Sequence, residues 1–354
     1  MALLRAFLRP LLTVVLLSVS AAVSAVVVDN LHRALVDVED HGSRQLSRAT
    51  REGLAQVLVK VSGDRAVLQY DAVKRALGQS QKYMQRYQYL RPEGGGLKLQ
   101  MHFDPRLVND LLRDAGAPLW TANRPPVLIW LVAEDGGGRH FVNRDSNPVL
   151  MAALTEQLER RGVPAVFPLY DLEDTVSVSL HDLWQLDRLA VGRASQRYGV
   201  ANILVGRVTS LPGERWMGDW VYLSNQDSSE DSYYGRPTAD FSARAVDLVA
   251  DSMAARFAVA GEGGSEPVLV RVDAITSYSD YRRVLEVLES IELVDSAWPA
   301  YLEGESVVFR LSARADAAQL ERIIALDRRL QPLDSVVPLE RGPLNLELGY
   351  QWSP

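Results

Sequence analysis

The 354 residues include no cysteine. Disulfides, thiolate zinc sites, iron–sulfur clusters and cysteine nucleophiles are excluded together, as is the lipid-modified cysteine that anchors bacterial lipoproteins. A chain without thiols cannot mispair in an oxidising compartment, so the absence fits export. Runs of lysine and arginine are absent too, and acidic residues outnumber Lys plus Arg by 45 to 38. A net charge of −7 with no basic stripe argues against binding nucleic acid. The five histidines, His32, His41, His102, His140 and His181, show no two-histidine spacing on one helix. No GxxxxGKS/T loop occurs. Gly136-Gly137-Gly138 lacks the spacing of a dinucleotide loop and reads as a hairpin turn. Ser62-Gly63-Asp64-Arg65 lacks the GxSxG elbow and reads as a helix end. These absences predict no catalytic residue, no metal and no cofactor.

The beginning of the chain is different in kind. Arg5 and Arg9 precede an apolar stretch centred on Leu11 to Leu17, and Val23-Ser24-Ala25 ends in a small residue. That is the pattern of a secretory leader with cleavage between Ala25 and Val26. Even extended to Val19, the apolar run is far shorter than the roughly 20 residues that span a bilayer. No later run reaches that length, so a mature chain without a transmembrane segment is expected in the periplasm. Apolar residues make up 47% and charged residues 23%, a globular balance, and the length exceeds what one core holds.

Punctuation divides the rest into modules at 26–120, 121–260 and 266–338, followed by a terminal strand over 339–354. In the first, LHRALVDV reads as a strand. A helix capped by Ser43 carries Leu46, Leu54, Val57, Leu58 and Val61 on one face, and Asp71 starts another. RYQYL and LKLQMHF pair as a hairpin around Pro92–Gly96, and Asp104-Pro105 opens a helix through Leu107, Leu111 and Leu112. The order βααββα resembles the small periplasmic docking modules called POTRA domains.

Arg124-Pro125-Pro126 breaks the chain before the second module. VLIWLVA and ANILVGRV are apolar without alternation, as strands buried on both faces are. Asn147, Pro148 and Gly162 mark the two ends of a helix, AVFPLY reads as a strand, and Ser179 caps a helix running to Tyr198. RWMGDWVYL alternates, DSYYGRPT follows, and a helix spans Asp240 to Phe257. Strands alternating with helices predict a partly parallel sheet between helical layers. Arg161-Gly162, Ala194 to Gly199 and Ala201 to Gly206 resemble the three-layer domain of TolB and of CsgG-type periplasmic proteins, which implies docking instead of chemistry.

After a flexible Gly261–Gly264 linker, PVLVRVDAI opens a ferredoxin-like βαββαβ module. Ser279 precedes its first helix, Val307, Phe309 and Leu311 alternate along a strand, and DAAQLERIIALDRRL forms the second helix. The fold class is therefore α/β and α+β in serial small modules. LAQVLVKVSGDRAVL, GAPLWTANRPPVLIWLV and RYGVANILVGRV together resemble a proteobacterial family catalogued as number 2066 among the domains of unknown function (DUF 2066). That resemblance implies no activity.

Three groups of residues remain as candidates. Trp216, Trp220 and Tyr222 share one face of a strand. They either stack on a cell-wall glycan or lie beneath a helix. Leu344, Leu346, Leu348, Tyr350 and Trp352 occupy every second position of LNLELGYQW, a strand that either docks in its own chain or adds to a partner's sheet. Asp171, Glu173 and Asp174 follow a predicted strand, where α/β sheets place ligands. Without an EF-hand pattern they read as a solvated loop whose joint neutralisation leaves function unchanged, with a cation site or a carboxylate-based hydrolase as the alternative. The leading expectation is a non-catalytic envelope adaptor that binds a periplasmic or membrane-associated protein. A peptidoglycan- or glycan-binding protein is the alternative.

Overall fold

The structure is a computed structural model and describes residues 26–92, 95–213, 215–225, 227–235, 238–260, 267–333, 335–336 and 346–353. The expected leader over residues 1–25, the expected Gly261–Gly264 linker and Leu344 lie outside the described residues.

The first module runs β1 (Val26–Val27), β2 (Arg33–Val38), α1 (Ser43–Ser62), α2 (Asp71–Leu77), β3 (Met84–Leu90), β4 (Leu97–Phe103), α3 (Pro105–Asp114), β5 (Pro118–Leu119) and β6 (Asn123–Arg124). Its antiparallel sheet has the order β2-β4-β3. Alternation in β4 sends Leu99, Met101 and Phe103 inward, where Leu54, Val57, Leu58 and Val61 of α1 meet them in one cluster. Each such side chain contributes about 1.5–3 kcal/mol by leaving water. One local expectation is corrected. Gly42, not Ser43, is the N-cap of α1, and no side chain caps it. Leu107 is exposed, because the register of α3 turns Val108 inward instead.

The middle module contains β7 (Val127–Asp135), β8 (Gly138–Phe141), α4 (Pro148–Arg161), β9 (Ala165–Val166), α5 (Leu172–Ser177), α6 (Leu180–Trp184), α7 (Arg188–Ser195), β10 (Asn202–Leu211), β11 (Arg215–Leu223), β12 (Ser228–Gly235), α8 (Thr238–Phe257) and β13 (Val259–Ala260). The sheet order is β12-β11-β10-β7-β8, with β9 beside the start of β7. Strands β9 and β10 run parallel to β7 and the rest pair antiparallel. One face packs on α4 and α8, the other on α6 and α7, which makes three layers. The expected AVFPLY strand shrinks to two residues, since Pro168 has no N–H to donate to a ladder. The single helix expected from Ser179 to Tyr198 is broken. Leu186 has φ 54°, and Asp187 restarts the chain by accepting from the amides of Leu189 and Ala190.

The C-terminal module contains β14 (Val268–Asp273), α9 (Tyr278–Glu289), β15 (Val294–Glu303), β16 (Ser306–Ala313), α10 (Ala317–Ile324), β17 (Leu330–Pro332) and β18 (Leu348–Trp352). Up to β17 the order is the expected βαββαβ. Ser277, not Ser279, caps α9 by accepting from the Asp280 amide. Helix α10 stops at Ile324, well before the expected end, and a turn held by Asp327 leads into β17. The chain is thus a mixed α/β protein built of small α+β modules in series. Their junctions are paired: β5 bonds to β13, and the Ala122 amide donates to Glu292 Oε1 at 2.8 Å.

Candidate functional site

Two helix C-termini converge at the junction of the first and middle modules. Carbonyls in the last turns of helices carry partial negative charge and lack intrahelical partners. The carbonyl of Lys60 in α1 accepts from Arg124 Nη2 at 2.8 Å, and those of Arg161 and Gly162 at the end of α4 accept from Nη1 at 3.1 and 2.9 Å. Thr121 and Trp120 supply two more carbonyls at 3.0 Å. The guanidinium also stacks on the Trp120 ring at 3.8 Å and is fully buried. No carboxylate touches it among the described residues. Burial, with the charge of Arg161 beside it, pulls its pKa down to about 9, so it remains protonated at neutral pH. Arg161 extends the junction to α8, donating to Asp247, to Asp251 at 2.6 Å and to the Gly63 carbonyl at 3.1 Å. Lys60 is buried as well. Its Nζ donates to the Arg33 carbonyl at 2.8 Å, and burial lowers its pKa to about 8.

The acidic cluster is solvated only in part: Asp171 and Glu173 are exposed, and Asp174 is not. Asp171 caps α5, while Asp174 lies inside that helix and is buried. Asp174 Oδ1 accepts from Arg197 Nη1 at 3.0 Å. Its Oδ2 accepts from the Tyr198 hydroxyl at 2.6 Å and the Tyr170 amide at 2.8 Å. Arg197 also grips Asp171 at 2.7 and 3.0 Å, and this holds the Asp171 carboxyl down at a pKa of about 2. Burial and the bond to Asp174 push the Tyr198 hydroxyl up to about 12. Among the described residues no group of three His, Asp or Glu side chains is placed to hold a metal ion. The carboxylates instead clamp α5 and the turn before it, where Tyr170 has φ 52°, to the end of α7. Asp174→Ala should therefore lower stability by about 2–4 kcal/mol, since Tyr198, Arg197 and the Tyr170 amide all lose a buried partner. Asp171→Asn should cost far less. Denaturant titration of both variants measures this difference.

The clamp presents an apolar surface. Leu169 in the turn, Leu172 and Val176 one helical turn apart on α5, and Leu189 in the first turn of α7 are 70–80% exposed. Helix α5 packs beside α7. Isolated exposed leucines are ordinary, but four on adjoining elements of one helical layer are not. Sequence periodicity missed this surface because neither helix is long enough to show a full apolar stripe.

The aromatic stripe is not a binding surface. Trp220 and Tyr222 are buried and Trp216 is half-buried, all beneath α8. Phe241 of α8 meets the Trp220 ring at 4.7 Å, and the Tyr222 hydroxyl donates to Asn202 Oδ1 at 2.8 Å. Gly206 is needed opposite: a Cβ there would lie 2.2 Å from the Trp220 ring. The apolar face of α8 covers the stripe, which the period of β11 alone cannot reveal.

The C-terminal alternation resolves in favour of the chain itself. Leu348, Tyr350 and Trp352 are buried in a core that the C-terminal module shares with the first. Strand β18 lies between β14, to which it is parallel, and β17, to which it is antiparallel. With both edges bonded it offers none to a partner. Leu346 does not share that face. It precedes the strand and packs with Leu269 and Val308 on the opposite side of the sheet.

A family described as a domain of unknown function (DUF8605) matches residues 25–121. The match is to an uncharacterised domain, as the sequence led us to expect, but not to the one numbered 2066. It ends before the residues that resemble TolB and CsgG-type proteins. No curated protein matches the chain. What the chain is similar to is thus a domain of unknown function that covers its first module.

Proposed function

We propose that this chain is an exported, non-catalytic adaptor of the bacterial cell envelope, docking another envelope protein through the exposed leucines of α5 and α7. The observation that carries this reading is the clamp itself: a buried carboxylate network holds Leu172 and Val176 facing solvent. Such a surface without a partner costs solubility. The leader pattern of residues 1–25 supports export. Between Leu169 and Leu189 five carboxylates accompany a single arginine, so the partner's surface should be apolar with a basic rim.

The test is capture of envelope proteins by the purified chain, compared with the double variant Leu172→Asp, Leu189→Asp. One stoichiometric protein should be recovered, and the variant should lose it by at least about tenfold while keeping its melting temperature, because both residues are exposed. Recovery that the variant leaves unchanged, or recovery of sacculi alone, would overturn the reading.

A further inference from the structure

Strand register builds a second, chemically different surface on the middle sheet. Arg207, Asp219 and Ser232 stand side by side across β10, β11 and β12. The next row on the same face is Thr209, Met217 and Tyr234. Same-face neighbours along a strand are about 7 Å apart. Helices α6 and α7 cover Val205 and Val221 on this face but stop short of the two rows. Met217 is therefore 48% and Tyr234 62% exposed. Trp184, the last residue of α6, forms a wall. Its carbonyl accepts from Arg207 Nη1 at 2.8 Å, and Arg139 stacks on its ring at 4.3 Å. The open cleft that these residues line has a volume of about 580 Å³.

The polar row is a single preorganised unit. Arg207 Nε donates to Asp219 Oδ2 at 2.8 Å, and Ser232 Oγ donates to Oδ1 at 2.6 Å. Burial raises the Asp219 pKa, but the bonds from Ser232 and Arg207 outweigh it and hold the carboxyl below its ordinary value. The carboxylate is thus ionised and already oriented. The neighbouring row supplies an aromatic ring and a thioether open to solvent. A free anion gains little here, since Asp219 neutralises Arg207. A purely apolar ligand would strand the charged row without water. A sugar ring suits both rows: its C–H face packs on an aromatic ring, and its adjacent hydroxyls donate to a carboxylate and accept from a guanidinium or hydroxyl. The spacing of the rows lets one sugar residue reach both.

We propose that this cleft binds a neutral oligosaccharide, with one sugar ring lying on Tyr234 and Met217 and its hydroxyls bonded to Arg207, Asp219 and Ser232. The site is on the opposite side of β11 from Trp216, Trp220 and Tyr222. It shares no residue with the α5–α7 surface, so either reading can fail without the other.

The experiment titrates the purified protein with two probes, the tetramer of N-acetylglucosamine and cellotetraose, followed by calorimetry and tryptophan fluorescence. Saturable binding of at least one probe is expected, weakened at least about tenfold by Tyr234→Ala and by Asp219→Asn. Removing the exposed Tyr234 ring should leave the melting temperature unchanged, so that arm stays readable even if Asp219→Asn disturbs folding. Absence of saturable binding by both probes up to about 10 mM, or binding that Tyr234→Ala leaves intact, overturns the proposal.

Discussion

Arg124→Met should cost about 5 kcal/mol, a large share of what holds a domain together. The substitution keeps most of the side-chain volume and the contact with Trp120, so the loss isolates hydrogen bonding. Five carbonyls lose their donor at once. Each buried, unpartnered carbonyl costs about 1 kcal/mol or more. Three of them belong to the C-terminal ends of α1 and α4, so the two helix dipoles would also face each other uncompensated. Arg124→Lys should recover less than half of the loss. An ammonium has three donors instead of five and no planar group to lie on the Trp120 ring. Equilibrium unfolding in denaturant measures both values. A methionine variant within about 1 kcal/mol of the parent would mean that water replaces the guanidinium, and the junction would then not be what fixes the first module on the second.

That junction marks the limit of what the sequence shows. Arg124 stands out there only as the start of a breaker before two prolines, yet its partners lie 38 and 64 residues away, at Gly162 and Lys60. A single arginine has no periodicity, so nothing local announces that two helix ends will meet around it. Asp174 is similar: its acid neighbours suggest an ion site, and only the fold shows Arg197 and Tyr198 arriving 23 and 24 residues later. Signals confined to one element are read more surely. Asn147, Pro148 and Gly162 bound α4 as expected, with Asn147 Oδ1 accepting from the Leu150 amide at 3.1 Å. The unbroken apolar runs of β7 and β10 predict burial on both faces, and both strands sit inside three layers. Pattern states which side chains share a face and leaves open what covers it. That gap separates the expected aromatic surface at Trp220 from its position under Phe241. The cross-strand row Arg207–Asp219–Ser232 went unread for the same reason, since register between strands is a tertiary property.

Truncation after Gly342 should unfold the C-terminal module. The deletion removes a central strand, so β14 and β17 each lose a neighbour and the sheet order β15-β16-β14-β18-β17 is cut in two. Leu348, Tyr350 and Trp352 are 6%, 1% and 3% exposed, and their burial is worth about 6–8 kcal/mol together. Further bonds vanish with them: Trp352 Nε1 to Asp280 Oδ1 at 3.4 Å, the Leu333 amide to the Gly349 carbonyl at 3.0 Å, and the Ser353 amide to the Arg329 carbonyl at 2.9 Å. The sum is comparable with the whole stability of a small module, so partial loss of structure is expected instead of a modest shift. Calorimetry should show the early loss of one transition, and Trp352→Ala should reproduce part of it at about 3–5 kcal/mol. A strand reserved for a partner would leave the melting curve unchanged and abolish binding only, and that result would remove β18 from its own sheet. A synthetic peptide of residues 343–354 adds a stricter check. In the truncated chain the peptide supplies the strand that pairs with β14 and β17, so its binding should refold the module and restore the lost transition. The intact chain already holds that strand and should ignore the peptide.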